Sequence, residues 1–205
     1  MTRIDELFAH TGAEGRAALV GYLPVGFPDV PQSIAAMIAM IEGGVDLVEV
    51  GVPYTDPGMD GPVIQVAVDA ALRAGTRVAH VFEAVQAVSA HAPVVVMGYW
   101  NPIEKLTPAV FAQRLKAAGG SGAITPDLIP EEATPWLEAA RAHDLDPIFL
   151  VAPSSTDERL EVVGRATRGF VYAASTMGVT GTRDTVSNRA EELVARTRKH
   201  TEVPV

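Results

Sequence analysis

The sequence predicts an α/β fold, a parallel sheet covered by helices. Three observations carry that prediction. Runs of β-branched and aliphatic residues alternate along the chain with segments of helical period. The runs are apolar nearly throughout rather than at every second residue, as strands covered on both faces are. The units also recur about every 31 residues, enough for a strand, a turn and a covering helix.

The elements follow in order. MTRIDELFAHTG reads as a short amphipathic helix carrying both charges, not as an apolar signal core. The first strand runs from Ala17 to Leu23 and ends at Pro24. PQSIAAMIAMIEGG then places Ile34, Met37 and Ile41 on one helical stripe, stopped by Gly43 and Gly44. The second strand is Asp46 to Val50. A loop leads to two helical stretches, Val63 to Arg73 and Val78 to Ala90, parted by Gly75. Pro93 to Trp100 is the third strand. Thr107-Pro108 opens a helix as cap and first helical residue. Gly122 to Thr125 is the fourth strand. Glu131 to His143 is a helix with acid in its first turn and base in its last, which suits the macrodipole. Pro147 to Val151 is the fifth strand. Ser155 and Glu158 have capping-box spacing for the next helix. Gly169 to Ala174 is the sixth strand, Asn188 to Lys199 a helix, and Val203 to Val205 reads as the beginning of a seventh strand.

Two architectures accommodate this order, an open doubly wound sheet and a (β/α)8 barrel. Eight units and the leading helix need about 260 residues. By that measure this chain holds about six units and is about 60 residues short, and periodicity leaves the choice open.

Composition excludes several function classes. The 205 residues carry 16 Lys and Arg against 25 Asp and Glu, a net charge of −9, so neither nucleic acid nor an anionic membrane is the expected partner. Apolar residues make up 48%, enough to build a core over residues 1–205 as one domain. There is no cysteine, hence no disulfide framework, thiolate nucleophile or thiolate metal site. No apolar stretch is long enough for a membrane span, and a cytoplasmic location is the expectation. Three lysines, Lys105, Lys116 and Lys199, all fall outside the strands, which argues against a Schiff base at a strand end. The five histidines (His10, His80, His91, His143 and His200) lie in or beside helices without ligand spacing, so no metal is expected. The basic run Arg196, Arg198, Lys199 and His200 reads as a solvated last helical turn.

In either architecture chemistry belongs at the carboxyl ends of the parallel strands. There the sequence offers Tyr22, Glu49, Tyr99, Trp100, Asn101, Thr125, Asp127, Tyr172 and Ser175. Glu49 stands out, a carboxylate inside the apolar run LVEVGVP. Desolvation there raises its pKa toward neutrality, as a general acid/base requires, unless an arginine or amide holds it. Asp60 lies in the loop that follows, just before Gly61-Pro62, and is either a helix cap or a second carboxylate carried over the cavity. GVTGT, Gly178 to Thr182, has the composition of a closing loop or of an ordinary βα connection. Tyr22, Tyr99 and Trp100 suit a pocket wall or the core, with a polar tip for one hydrogen bond. What these residues leave is carboxylate acid/base chemistry.

The string DLVEVGVPYTDPGMDGPVIQ resembles the signature of the tryptophan synthase α-subunit family, E-[LIV]-G-[LIV]-P-[FY]-[ST]-D-P-x-x-D-G-P-x-I-Q. GYLPVGFPD, MGYWNPI, TPDLIPEE and YAASTMGVTG agree with the family in order, so the resemblance covers nearly the whole chain. It implies a (β/α)8 TIM barrel, present here as about six βα units and the start of strand seven, and retro-aldol cleavage of indole-3-glycerol phosphate to indole and glyceraldehyde 3-phosphate. Glu49 then corresponds to the general acid/base, Asp60 to the carboxylate accepting the indole N–H, and Tyr172 to the strand-six tyrosine beside the substrate. By similarity Tyr22, Ile64 and Met97 line the pocket, while Thr180 and Gly181 fall on the closing loop. Gly58 and Met59 depart from what the family often carries.

The resemblance also implies a β-subunit partner in an α2β2 assembly. Pyridoxal phosphate belongs on that partner, and no cofactor on this chain. The partner surface is expected around Pro53, Asp56 and Pro57, around Asn101 and Pro102, and from Asp127 to Pro130. The family's strand-seven and strand-eight phosphate loops are not in this sequence, so it is expected to be part of a longer chain. Three rival readings remain open: a stand-alone indole-glycerol-phosphate lyase, a non-catalytic α-like regulator of a β subunit, and another phosphate-binding barrel isomerase.

Overall fold

The computed structural model describes residues 1–175 and 188–205. Five strands, β1 (Val20–Pro24), β2 (Leu47–Gly51), β3 (Val94–Met97), β4 (Gly122–Ile124) and β5 (Asp146–Ile148), form one sheet in the order 1-2-3-4-5, every pair parallel. β6 (Leu150–Val151) and β7 (Tyr172–Ala173) pair in parallel beside it. Strand order equals chain order. A doubly wound sheet reverses direction at a switch point, whereas successive right-handed crossovers that never reverse bend a sheet toward a barrel.

Curvature shows in the inner face. Inward-pointing residues of β2 to β5, Leu47, Val95, Ile124 and Ile148, converge with Phe170 in one small buried cluster. The first helix, α1 (Arg3–Ala13), closes this cluster from the N-terminal ends of the strands. Its Ile4 is fully buried there, and its Phe8 ring lies 5.8 Å from Phe170. Thr2 and Asp5 form a reciprocal capping box that starts α1. The outward residues Val48, Val50, Val94, Val96 and Ala123 pack instead under the helices. These are α2 (Val30–Glu42), α3 (Pro62–Arg73), α4 (Val78–Val88), α5 (Trp100–Leu106), α6 (Pro108–Ala117), α7 (Thr134–Ala142), α8 (Asp157–Ala166) and α9 (Asn188–Thr197).

Five local expectations are corrected. The third strand ends at Met97, and WNPIEKL is helix α5, because the Asp127 carboxylate accepts the Trp100 N–H at 2.8 Å and starts a helix there. The expected helix from Glu131 is a single 3-10 turn, Pro130–Glu132, followed by α7, since Pro135 has no N–H to give the Glu131 carbonyl. The cap of α8 is Thr156, which accepts from Arg159 N, while the Ser155 hydroxyl is taken by the Ala152 N–H at 3.0 Å. The fifth strand divides at Phe149. Its first half pairs with β4 and its second with β7, the stagger that a closing, tilted sheet imposes. Val203 to Val205 form no strand, but the Pro204 carbonyl accepts from Val171 N at 2.8 Å and so lies along β7. No helix among the described residues is long and apolar enough to cross a membrane.

Ile4 reaches the inner cluster from outside the sheet, so its loss leaves a hole the strands cannot collapse into. Ile4→Ala is expected to cost about 2–5 kcal/mol in urea unfolding, and Leu7→Ala less, because Leu7 is only partly buried.

Candidate active site

Alternation along β2 sends Leu47, Glu49 and Gly51 inward and Val48 and Val50 outward. Leu47 belongs to the dry cluster. Glu49, one step nearer the carboxyl end, faces a cavity of about 330 Å³. The register sets Tyr22 of β1 and Val95 of β3 directly beside it. Tyr22, Asp60, Ile64, Met97 and Tyr172 line the same cavity, so six of the eight residues expected to carry catalysis or bind substrate come together. The other two, Thr180 and Gly181, lie outside the described residues. Met59, Ala173, Ala174 and Ser175 complete the wall. Of these the sequence pointed only to Ser175, since a small or flexible side chain carries no signal of facing a cavity.

Glu49 is 4% exposed, and among the described residues nothing hydrogen-bonds or ion-pairs with its carboxyl group. Burial alone pushes it up to about 7. A second acid on the inner face, Asp146, shows the contrasting case. It is fully buried near the N-terminal end of the sheet, and the Arg168 Nε stands 3.3 Å from it. Asp146 has a cation beside it, whereas Glu49 opens on a cavity with no cation beside it among the described residues.

Asp60 is not the cap of α3. Gly61 holds that place, and the Asp60 carboxylate, half-buried, instead accepts from the Tyr99 hydroxyl at 3.2 Å. Burial raises the Asp60 pKa, and the Tyr99 hydrogen bond opposes that. The Tyr172 phenol is pushed up to about 12 by burial and then by the Glu49 charge. Tyr22 rises further, through burial and then the charges of Asp60 and Glu49. Both phenols therefore stay protonated at neutral pH and serve the cavity as hydrogen-bonding walls. Among the described residues no group of three or more His, Asp or Glu is placed to hold a metal ion.

The residues expected to face a partner lie at the same end. Asp56, Asn101 and Asp127 are exposed, and Pro53, Pro57, Pro102 and Pro130 half-buried, on the segments that follow β2, β3 and β4, Asn101 and Pro102 in the first turn of α5. Side-chain bonds connect these loops: Asn101 Nδ2 donates to Tyr54 Oη at 2.9 Å, and Trp100 N to Asp127.

A parallel sheet in chain order, with a desolvated acid and a second carboxylate at the carboxyl ends of its strands, has the layout of a barrel enzyme, whose chemistry sits at that face. Comparison with known proteins narrows the class. The family profile described as tryptophan synthase alpha chain matches residues 8–205, and the chain belongs to that family. The tryptophan synthase alpha chain of Mycobacterium tuberculosis is 58% identical over all of this chain and 76% of its own length. A structure of M. tuberculosis tryptophan synthase superposes with a TM-score of 0.95 at 56% identity, covering 100% of this chain and 79% of that one. The alpha chain of Legionella pneumophila superposes at 0.87 with 28% identity, covering 100% and 75%. The architecture is thus that of the (β/α)8 barrel, and the activity is the carbon–carbon lyase reaction of the family, release of indole from indole-3-glycerol phosphate. Membership also makes the chain one of the two subunit types of tryptophan synthase.

The unpaired acid has a measurable cost. With a folded pKa of about 7 against an ordinary 4.5, Glu49 binds an extra proton in the folded state between those values. Its contribution to stability is complete below the unfolded value and is lost as pH rises through 7. Glu49→Gln is therefore expected to be more stable relative to wild type at pH 8 than at pH 5, by up to about 3 kcal/mol in denaturant unfolding. A difference independent of pH would mean a hydrated carboxylate.

Proposed function

We propose that Glu49 and Asp60 divide the cleavage between them, Glu49 moving the proton and Asp60 holding the charge. Breaking the bond from indole C3 to its side chain needs a proton delivered to C3 and one removed from the adjacent hydroxyl. Protonation at C3 draws on the ring π electrons and leaves positive charge at the ring nitrogen. Loss of the hydroxyl proton then forms the carbonyl, and the electron pair of the broken carbon–carbon bond returns to the ring. The net transfer is one proton from oxygen to C3, and a single carboxyl group that both gives and takes suffices. A group titrating at about 7 holds both forms in comparable amounts at neutral pH.

The cation on the ring asks for an anion at the N–H. An ionised Asp60 supplies it, and supplies more in a cavity with little water than in solvent. Tyr172, beside Glu49 in the cavity, suits a wall for the glycerol-phosphate side chain. The observation that carries this reading is the Glu49 carboxyl group, buried and with no cation beside it among the described residues, opening on the cavity that Asp60 also lines.

We further infer that the β2, β3 and β4 loops, with Asp56, Asn101 and Asp127 outermost, form the surface for the β subunit. These loops are adjacent, end where the cavity opens, and are tied to one another by the Tyr54–Asn101 and Trp100–Asp127 bonds. Pyridoxal phosphate belongs to that partner in this reading, and an α2β2 assembly follows from it.

Glu49→Gln is expected to abolish indole formation while substrate binding by calorimetry is kept; turnover like the wild type would remove Glu49 from the chemistry. The activity of the wild type should fall on the acid side as Asp60 takes up its proton, at a pH above that of an ordinary aspartate. Asp60→Asn should lose that limb along with most of kcat. Adding a β subunit should raise the rate of indole release and co-elute with the chain, and neither response would remain if Asp56, Asn101 and Asp127 were all replaced by arginine.

A further inference from the structure

The loop that carries Asp60, residues 52–61, has no regular secondary structure, yet a half-buried acid within it must keep a set direction over the cavity. The structure supplies a fixed point from another strand. Tyr99 follows β3, is 6% exposed, and is held on both sides. The Gly98 N–H before it still bonds the Ile124 carbonyl at 3.1 Å, and the Trp100 N–H after it is held by Asp127. Its ring lies 5.4 Å from that of Tyr54. At the far end of this ring the hydroxyl makes two bonds to the loop, accepting from Met59 N at 2.9 Å and donating to Asp60 Oδ1 at 3.2 Å.

The direction of these bonds follows from the groups. A backbone N–H can only donate, so it takes a lone pair of the phenol and leaves the phenol's one proton for the carboxylate, which when ionised can only accept. An ionised Asp60 accepts that proton more strongly than a neutral carboxyl group does. We propose that Tyr99 is a positioning residue of the lyase reaction, its hydroxyl clamping the Met59–Asp60 backbone and aiming the Asp60 carboxylate at the cavity. The proposal rests on the reading of Asp60 as the acceptor of the indole N–H.

The bond favours the charged form of Asp60 against burial, which acts the other way. Among the described residues the other titratable groups lining this space are Tyr22 on β1, Glu49 on β2 and Tyr172 on β7. Of these only Glu49 gains charge near neutrality, and its charge disfavours a second anion. Tyr99 thus offers the loop carboxylate a hydrogen-bond donor, and joins it to the segment after β3 that presents Asn101 and is held by Asp127.

Tyr99→Phe keeps the ring against Tyr54 and removes only the hydroxyl. The test is a carbon-detected NMR titration of the Asp60 carboxyl group in wild type and variant, with kinetics of indole release alongside. The expected result is an Asp60 midpoint moved to higher pH, kcat lowered about tenfold with KM within about twofold, and an acid limb of kcat displaced in the same direction. Thermal unfolding checks that the variant is folded. An Asp60 midpoint that does not move overturns the proposal, whatever the rate. A moved midpoint with unchanged kcat leaves the Tyr99–Asp60 bond standing and instead overturns the reading of Asp60 as the group at the indole N–H.

Discussion

The site depends on the two-residue alternation of β2. Because successive side chains point to opposite faces, Leu47, Glu49 and Gly51 form one inward column, and each meets a different demand. Leu47 completes the dry cluster under α1, and Glu49 takes the boundary between that cluster and the cavity. Gly51 leaves the space above, where a Cβ would come within 2.5 Å of the Tyr22 hydroxyl. A slip of one residue would turn the acid into the helix-facing layer among Val81, Val85 and Val88 and would fill the cavity floor with valine. The parallel pairing of β2 with β1 and β3 on both sides holds that register.

Stability and reactivity are separated along the strand direction. At the amino ends α1 seals the inner cluster, and the buried Asp146 faces Arg168. Nearby, the Arg16 guanidinium grips Asp46 through two bonds of 2.7 and 2.8 Å, while Asp46 also accepts from Leu19 N and so ties the start of β1 to that of β2. At the carboxyl ends no cation among the described residues pairs with Glu49 or Asp60, and polar side chains join the loops to one another. A carboxylate held below its usual pKa, as Arg16 holds Asp46, contributes to folding, whereas burial raises the pKa of Asp146 despite Arg168. One left unpaired at the open end costs folding energy and is available for proton transfer.

Coupling between the loops has the same origin. Tyr99, Trp100 and Asn101 are consecutive, yet the first reaches Asp60, the second Asp127 and the third Tyr54. The short helix α5 begins at this point and starts from a carboxylate of the neighbouring loop instead of a cap of its own. Asn101 and Asp127 are thereby joined by hydrogen bonds to the segments that carry Tyr54 and Tyr99, and through Tyr99 to Asp60.

Much of this was legible in the order of residues. Apolar runs and helical stripes placed nearly every strand and helix, because burial leaves a local period wherever an element faces a core. Glu49 was legible because a carboxylate interrupts an apolar strand, and the family resemblance drew Asp60 and Tyr172 to it. The misplaced boundaries were those decided by distant groups: α5 starts on Asp127, and the fifth strand divides because its two halves pair with different neighbours. Likewise the choice of a barrel over an open sheet rests on strand order, which periodicity does not contain. Tyr99 offered only an aromatic ring with a polar tip, and Asp60 read equally well as a helix cap. The bond between them spans 39 positions of chain. A sequence pattern records which face each residue presents within its own element, whereas the partner it meets there is decided when separate elements pack.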